Sequence, residues 1–393
     1  MRRVVCAAVL ALAGCSTVKL SVAGEAAVDA RVFVQPPRYA GQEDGNTVSL
    51  VAAPTGILDV ADGTHVFRLT PFYRLDPRDE RRSHFDLREA SYRLQYQQLQ
   101  VLAGFSTVTW GTLEMHRPSD VINQHDLVES LSENAKLGQP MVSVGWVGES
   151  ASLKAYWLPY FREKTFPGVR GRLRSPATID QDHPQYETQL GPWQPSGALR
   201  FTLNRGDFDF GLSAFTGLSR EPRFVLELTE GQLAPRYDTM HQASADVQWT
   251  QGALTLKAEA FVRLWSQKLV AFTGGGAGLE YTFFQLAGDA DLSFALEGYW
   301  DTRPVDAPPT FFDHDLFAGL RFALNDTGNL EVVGGVLFDV LSRATLARIE
   351  VSRRFGDHWR AYVSAHVFGF GHGTLQGSFV DDSHLAARVA YFF

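Results

Sequence analysis

Side chains able to do chemistry concentrate in the segment Trp110–Met141, WGTLEMHRPSDVINQHDLVESLSENAKLGQPM. Between Gly111 and Lys136 it carries the five carboxylates of Glu114, Asp120, Asp126, Glu129 and Glu133 against Arg117 and Lys136, a local charge of −3. The next polar stretch, REKTFPGVRGRLR, sets Arg162, Lys164, Arg170, Arg172 and Arg174 against Glu163 alone, a local charge of +4. Facing one another across a water-filled passage, two such segments would create a transverse field at a constriction. Solvated together at an outer rim, they would merely bridge each other. The constriction candidates are Glu114, His116, Arg117, Asp120, Asp126, Lys136, Arg170, Arg172 and Arg174.

Other chemistries fit less well. His116, Asp120, His125 and Asp126 are zinc-ligand types, but their spacing matches no helix or hairpin template, so hydrogen-bonded loop residues are the favoured reading. His241 near Asp238, and His314 between Asp313 and Asp315, are the available bases for a rim hydrolase. No serine lies nearby in the context of a barrel phospholipase. The expectation is no enzyme and no cofactor. Cys6 and Cys15 are the only cysteines, so nothing beyond residue 15 can supply a disulfide, a thiol nucleophile or a Cys-ligated metal.

The elements that must position these residues are strands. Of 393 residues 28 are Phe and 35 are Gly, a bias that suits aromatic-rich strands and turns. With 36 Lys+Arg against 44 Asp+Glu the net charge is −8, which excludes a nucleic-acid partner held by bulk charge. After the leader no run approaches ~18 consecutive apolar residues, so no transmembrane helix is expected. Several runs instead alternate strictly. Leu254, Leu256, Ala258, Ala260 and Val262 oppose Thr255, Lys257, Glu259 and Arg263, while Leu199, Phe201 and Leu203 oppose Arg200, Thr202 and Asn204. Leu316, Ala318 and Leu320 oppose Phe317, Gly319 and Arg321, and Ala347, Ile349 and Val351 oppose Arg348, Glu350 and Ser352.

Connections alternate too. Short turns at 147–150, 204–207, 250–253, 325–329 and 355–358 are interleaved with long stretches at 111–136, 162–194, 219–240, 302–312 and 371–383. That asymmetry is expected of an antiparallel up-and-down β-barrel, all-β and transmembrane, with about 18 strands or 16 as the alternative. A barrel this wide cannot fill its interior with wall side chains, so the interior should be wet and the apolar faces should meet lipid. The reverse orientation would set Arg200, Arg263 and Arg321 in hydrocarbon at ~2–4 kcal/mol each near the midplane.

The ends of the chain suit export. Arg2 and Arg3 precede the apolar run Val4–Ala13, and Leu12-Ala13-Gly14-Cys15 matches a lipobox that would make Cys15 the lipidated mature terminus. An ordinary signal cleavage near Ala13 or Ala23 is the alternative. The expected division is thus 1–14 as signal peptide and 15–393 as one barrel domain. The last strand alternates Leu385, Ala387, Val389, Tyr391 and Phe393 with polar and small residues. Its aromatic end, Tyr391 and Phe393, resembles the signal read by the barrel-assembly machinery of bacterial outer membranes.

A family resemblance lies in particular strings. Thr70-Pro71-Phe72 with Arg74-Leu75-Asp76, SHFDLREASY, Trp110-Gly111, DVINQHDLVE, KLGQPM, FREKTFPGVRGRLR and SREPR resemble a group of uncharacterised proteobacterial outer-membrane barrels. That group is more distantly similar to alginate-export and other porin-like families. The resemblance extends over most of the chain after the leader and implies a barrel in the bacterial outer membrane, with no particular substrate. The expected function is a porin-like channel for passive passage of small hydrophilic solutes or an exported polymer, with outer-membrane lipid and the assembly machinery as partners. A structural or surface-interaction barrel with a plugged lumen is the alternative, and a barrel hydrolase comes third.

Overall fold

A computed structural model describes residues 17–227, 232–265, 270–371 and 375–393. Cys15 and the rest of the leader lie outside the described residues. Eighteen antiparallel strands form one closed barrel. The first, Val18–Phe33, pairs with Thr47–Val60 on one side and with the last, His384–Phe392, on the other. Each remaining strand pairs with its neighbours in sequence, so the topology is a simple meander.

The turns explain why. At one rim the chain reverses within two residues between Arg205 and Phe208 and between Gln251 and Leu254. Gly206 and Gly252 there hold φ near +61°, a region open to glycine at little cost, and their Cα hydrogens face open space. The opposite rim carries the long connections: 34–46, 107–138, 159–195, 219–238, 302–313 and 370–383. Two of these contribute a small separate sheet, in which Arg223–Glu227 pairs with Gln232–Tyr237 and the latter runs parallel to Gln185–Tyr186. By sequence periodicity 219–240 is an irregular stretch, because strands this short show no visible alternation.

Polarity is inverted relative to a water-soluble protein. Leu199 is 52% exposed on the outer surface while its neighbour Arg200 is 8% exposed inside. Leu256, Val262, Leu279, Leu296, Leu316 and Leu320 are likewise exposed outward, whereas Lys257, Glu259 and Arg263 are buried. A closed ladder with an apolar outer band satisfies the two demands of a hydrocarbon environment: no unpaired backbone edge and no charged outer face.

The interior differs from the expectation of a uniformly wet lumen. Trp110, Val121 and Ile122 of the 107–138 connection pack against the inward-facing Met141, Leu158, Ala198, Phe215 and Met240. This core lies inside the cylinder, and no single strand announces it because its partners come from a loop. Toward the short-turn rim the inner wall stays solvated, with Arg321 paired to Glu331 at 2.6 Å.

The orientation has a measurable consequence. Leu296 lies mid-strand in Ala290–Asp301 and faces outward. Leu296→Arg is expected to cost ~2–4 kcal/mol in urea unfolding from lipid vesicles, whereas Leu296→Phe stays near wild type.

Candidate functional site

The 107–138 connection leaves the strand Leu99–Ser106, folds into the barrel, crosses the lumen and returns to Gln139–Val147. Asn123 clamps its base: the amide donates to the carbonyls of Ser106 and Leu137, both at 2.9 Å, and accepts from the Val108 N–H at 2.8 Å. From this clamp the segment reaches two opposite parts of the wall.

On one side the wall supplies carboxylates. Glu259, on Leu254–Trp265, accepts the backbone N–H groups of Thr112, Leu113 and Ser119 at 2.5, 2.9 and 3.1 Å. Gly111 sits directly on this carboxylate with φ +91°, and a Cβ there would lie 2.5 Å from its oxygens. Glu297, on Ala290–Asp301, accepts the N–H groups of Glu114 and Met115 at 2.8 and 3.0 Å, and Tyr299 accepts that of His116 at 3.2 Å. Charged acceptors make these stronger than ordinary backbone hydrogen bonds. Lys257 reaches Glu114 at 2.6 Å.

On the other side the wall supplies guanidinium groups. Arg74, on His65–Leu75, grips Glu129 through three contacts of 2.7–2.9 Å and also holds Asp29 at 2.7 Å. Arg31 donates to the Glu129 carbonyl at 3.2 Å, and Arg88 donates to Asp126 at 2.6 Å. Thus the acidic segment does meet a basic partner, but that partner is the barrel wall.

Within the segment, His116 pairs with Glu133, whose other oxygen accepts the Arg117 N–H at 3.0 Å, and Lys136 pairs with Asp120. Burial pushes Asp120 up to about 6 despite its lysine. Burial works the same way on Asp126 and Glu133 but loses: His84 and Arg88 hold Asp126, and His116 holds Glu133, well below the usual carboxylate range. His125 is pushed down to about 4 by burial and is neutral at pH 7. His116, Asp120 and Asp126 therefore spend their ligand atoms on different partners, and the four zinc-type residues do not converge.

The basic stretch touches the crossing segment at Thr165, whose hydroxyl donates to Asp126 at 2.6 Å, but its three arginine candidates sit elsewhere. Arg170 binds Glu43 at 2.6 Å, Arg172 binds Asp382 at 2.8 Å, and Arg174 donates to the carbonyls of Val169, Ser175, Pro176 and Ala40. These three arginines lace the outer loops to each other and none pairs with a carboxylate of the crossing segment. Six of the nine constriction candidates, Glu114, His116, Arg117, Asp120, Asp126 and Lys136, lie on that segment; Arg170, Arg172 and Arg174 do not. The residues missed are its anchors, Glu259, Glu297 and Arg74. Alternation marks Glu259 as inward-facing, but nothing local tells a loop anchor from a wall ion pair.

The hydrolase candidates are also separated. Asp238 is bound by Arg223 and Arg236 at 2.5 and 3.1 Å, while His241 faces outward and meets Thr216 at 2.9 Å. His314 is exposed on the outer face. At the closing seam, Phe393 exchanges two backbone hydrogen bonds of 3.1 Å with Gly24, and Tyr391 packs on Trp359 with ring centroids 5.0 Å apart.

Between the crossing segment and the outer loops lies a cavity of about 460 Å³. Phe166, Phe224, Phe311, Phe312 and Phe379 line it together with a buried charge network. Glu221 there joins Arg263 to Arg303, the latter at 3.4 Å, and these cations with Lys164 outweigh burial and hold its carboxyl far below the usual range. Phe312 stacks flat on His116 at 4.1 Å, so the cavity floor is the crossing segment itself.

No protein-family profile matches the chain, and no curated protein matches its sequence. Solved structures do match. OccAB1 of Acinetobacter baumannii superposes with a TM-score of 0.55 at 8% identity, covering 94% of this chain and 96% of that one. Wzi of Escherichia coli, described as an outer-membrane protein involved in group 1 capsule assembly and a carbohydrate-binding β-barrel, gives 0.54 at 11% identity over 94% and 84%. At such identities the likeness is one of fold. The chain has the architecture of a porin-like outer-membrane β-barrel.

Two outcomes follow from the anchoring. Glu259→Ala strands three N–H donors, each orphan costing ~1–3 kcal/mol if it stays buried, so the crossing segment should detach locally. Limited proteolysis should cut within 111–119 in this variant and spare the wild type. The pH dependence has two limbs. Asp120, raised to about 6, favours the folded loop increasingly as pH falls from 7 toward its ordinary value of 3.8. Asp126 and Glu133, depressed from 3.8 and 4.5, contribute fully above those values and lose their contribution as pH falls below them. The segment is therefore held best near pH 4–5 and released below, and pepsin should cleave 125–134 at pH 2.5 but not at pH 4.5.

Proposed function

We propose that the protein is a porin-like channel of the bacterial outer membrane, passing small hydrophilic solutes passively through a lumen narrowed by the 107–138 segment. The observation that carries this reading is the double anchoring of that segment, to Glu259 and Glu297 on one wall and to Arg74 and Arg88 on the other. A charged strap held across a cylinder, with solvated Arg–Glu pairs below it, is the arrangement a size- and charge-selective constriction requires. Its fixed charges come from Glu114, Arg117, Asp120, Asp126 and Lys136. A small solute suits the 460 Å³ vestibule better than a threaded polymer does.

In this reading the chain belongs with the uncharacterised proteobacterial barrels its strings resemble. Export through residues 1–14 is followed by lipidation of Cys15, and assembly is directed by the aromatic end, Tyr391 and Phe393. Val18 begins the first strand beside the short turn after Val60, so acyl chains on Cys15 would enter the membrane at the short-turn rim.

The competing reading is a closed barrel that binds partners at the surface; Wzi, of similar fold, is described as a carbohydrate-binding β-barrel. It is favoured by the complete burial of Leu113, Ile122 and Ser119 within the lumen. Planar-bilayer recording separates the two. The channel reading expects discrete steps from wild type and several-fold larger steps after deletion of 111–136. Silence from the wild type, with steps appearing only on deletion, would identify the plugged barrel.

A further inference from the structure

At the long-loop rim, the strands His314–Ala323 and Glu331–Asp339 place Asp315 and Asp339 directly opposite one another. Like charges directly opposite one another on two strands repel and destabilise the sheet unless something neutralises them. Asp313 brings a third carboxylate to the same point. One oxygen from each of the three lies within 4.8 Å of the other two. Asp315 is 1% exposed and Asp339 4%.

A second observation separates this group from an ordinary acidic cluster. The Oδ1 of Asp315 is buried and has no hydrogen-bond partner among the described residues, while its Oδ2 accepts the Asp313 N–H at 2.8 Å. A carboxylate oxygen taken out of water and left without a donor is costly, and an ion bound there would offset that cost. No Lys or Arg among the described residues forms an ion pair with any of the three. Asp339 is held in place by the turn that follows, accepting the N–H groups of Leu341 and Ser342 at 2.8 and 2.9 Å.

We propose that Asp313, Asp315 and Asp339 bind one divalent cation, with Ca²⁺ the best match. Three hard oxygen donors with no nitrogen or sulfur select an alkaline-earth ion over zinc. Oxygens up to 4.8 Å apart fit around an ion that takes its ligands at ~2.3–2.6 Å, with solvent completing the shell. The bound ion has a structural consequence at the vestibule. Asp313 follows Phe312, which stacks on His116, and its carbonyl accepts the Asp301 N–H at 2.8 Å. The ion thereby ties the 302–313 connection to the barrel rim and steadies the aromatic wall above the crossing segment.

The test uses the full-length protein in detergent, stripped with EGTA and titrated with radiolabelled Ca²⁺ in equilibrium dialysis, with Mg²⁺ as competitor. The expected result is one ion per chain, with affinity at least tenfold weaker in Asp315→Asn and in Asp339→Asn. Because Asp315→Asn removes a repulsion, its EGTA-treated form should melt no lower than the wild type, which controls for misfolding. Ca²⁺ should then raise the Tm of the wild type only. Equal binding by wild type and Asp315→Asn, no stoichiometric binding by either, or the same Tm rise in both would overturn the proposal.

Discussion

The constraint on which everything else depends is that a strand in hydrocarbon can leave no backbone group unpaired. Val18–Phe33 and His384–Phe392 meet this by pairing with each other, so that a chain of 18 hairpin-linked strands has no edge. Closure forces the rest. Once the cylinder is shut, every strand has one face toward lipid and one toward the lumen, and the alternation of Leu199 with Arg200 or of Val262 with Arg263 follows as a geometric necessity. Charge then collects inside, where the protein has to find uses for it.

Much of that inward charge holds loops. Glu259 and Glu297 accept backbone N–H groups, and Arg74 and Arg88 bind Glu129 and Asp126. In a soluble protein, burying so many ionised groups would be costly unless each found a partner. Here the loop and the wall desolvate each other's charges reciprocally. The small apolar core around Trp110, Ile122 and Met141 forms only because the strap brings side chains of its own into the lumen.

How much of this was legible in the sequence divides along the range of the interactions. Strand number, meander topology, the direction of each face and the rim of the long loops all follow from local periodicity, and all are present in the fold. The 107–138 segment could be recognised as chemically dense, but not where its charges would go. Arg170, Arg172 and Arg174 were the natural partners by proximity in the chain; in space they bind Glu43, Asp382 and backbone carbonyls. The true partners, Arg74 and Arg88, are about 40 to 55 residues upstream of the carboxylates they hold. Such pairings depend on which strands face each other across a closed cylinder, and no local pattern encodes that. The short strands at Arg223–Glu227 and Gln232–Tyr237 escaped for the opposite reason, being too brief for alternation to register.

The seam between Gly24 and Phe393 also bears on what the strap does for the wall. The strap's two anchorages lie on staves far apart around the circumference, Arg74 near the start of the chain and Glu259 well past its middle. Phe393, the final residue, is among those that seal the wall. The hoop thus encircles a strap tied to staves from both halves of the chain, so the strap braces the circumference from within as the seam closes it from the side.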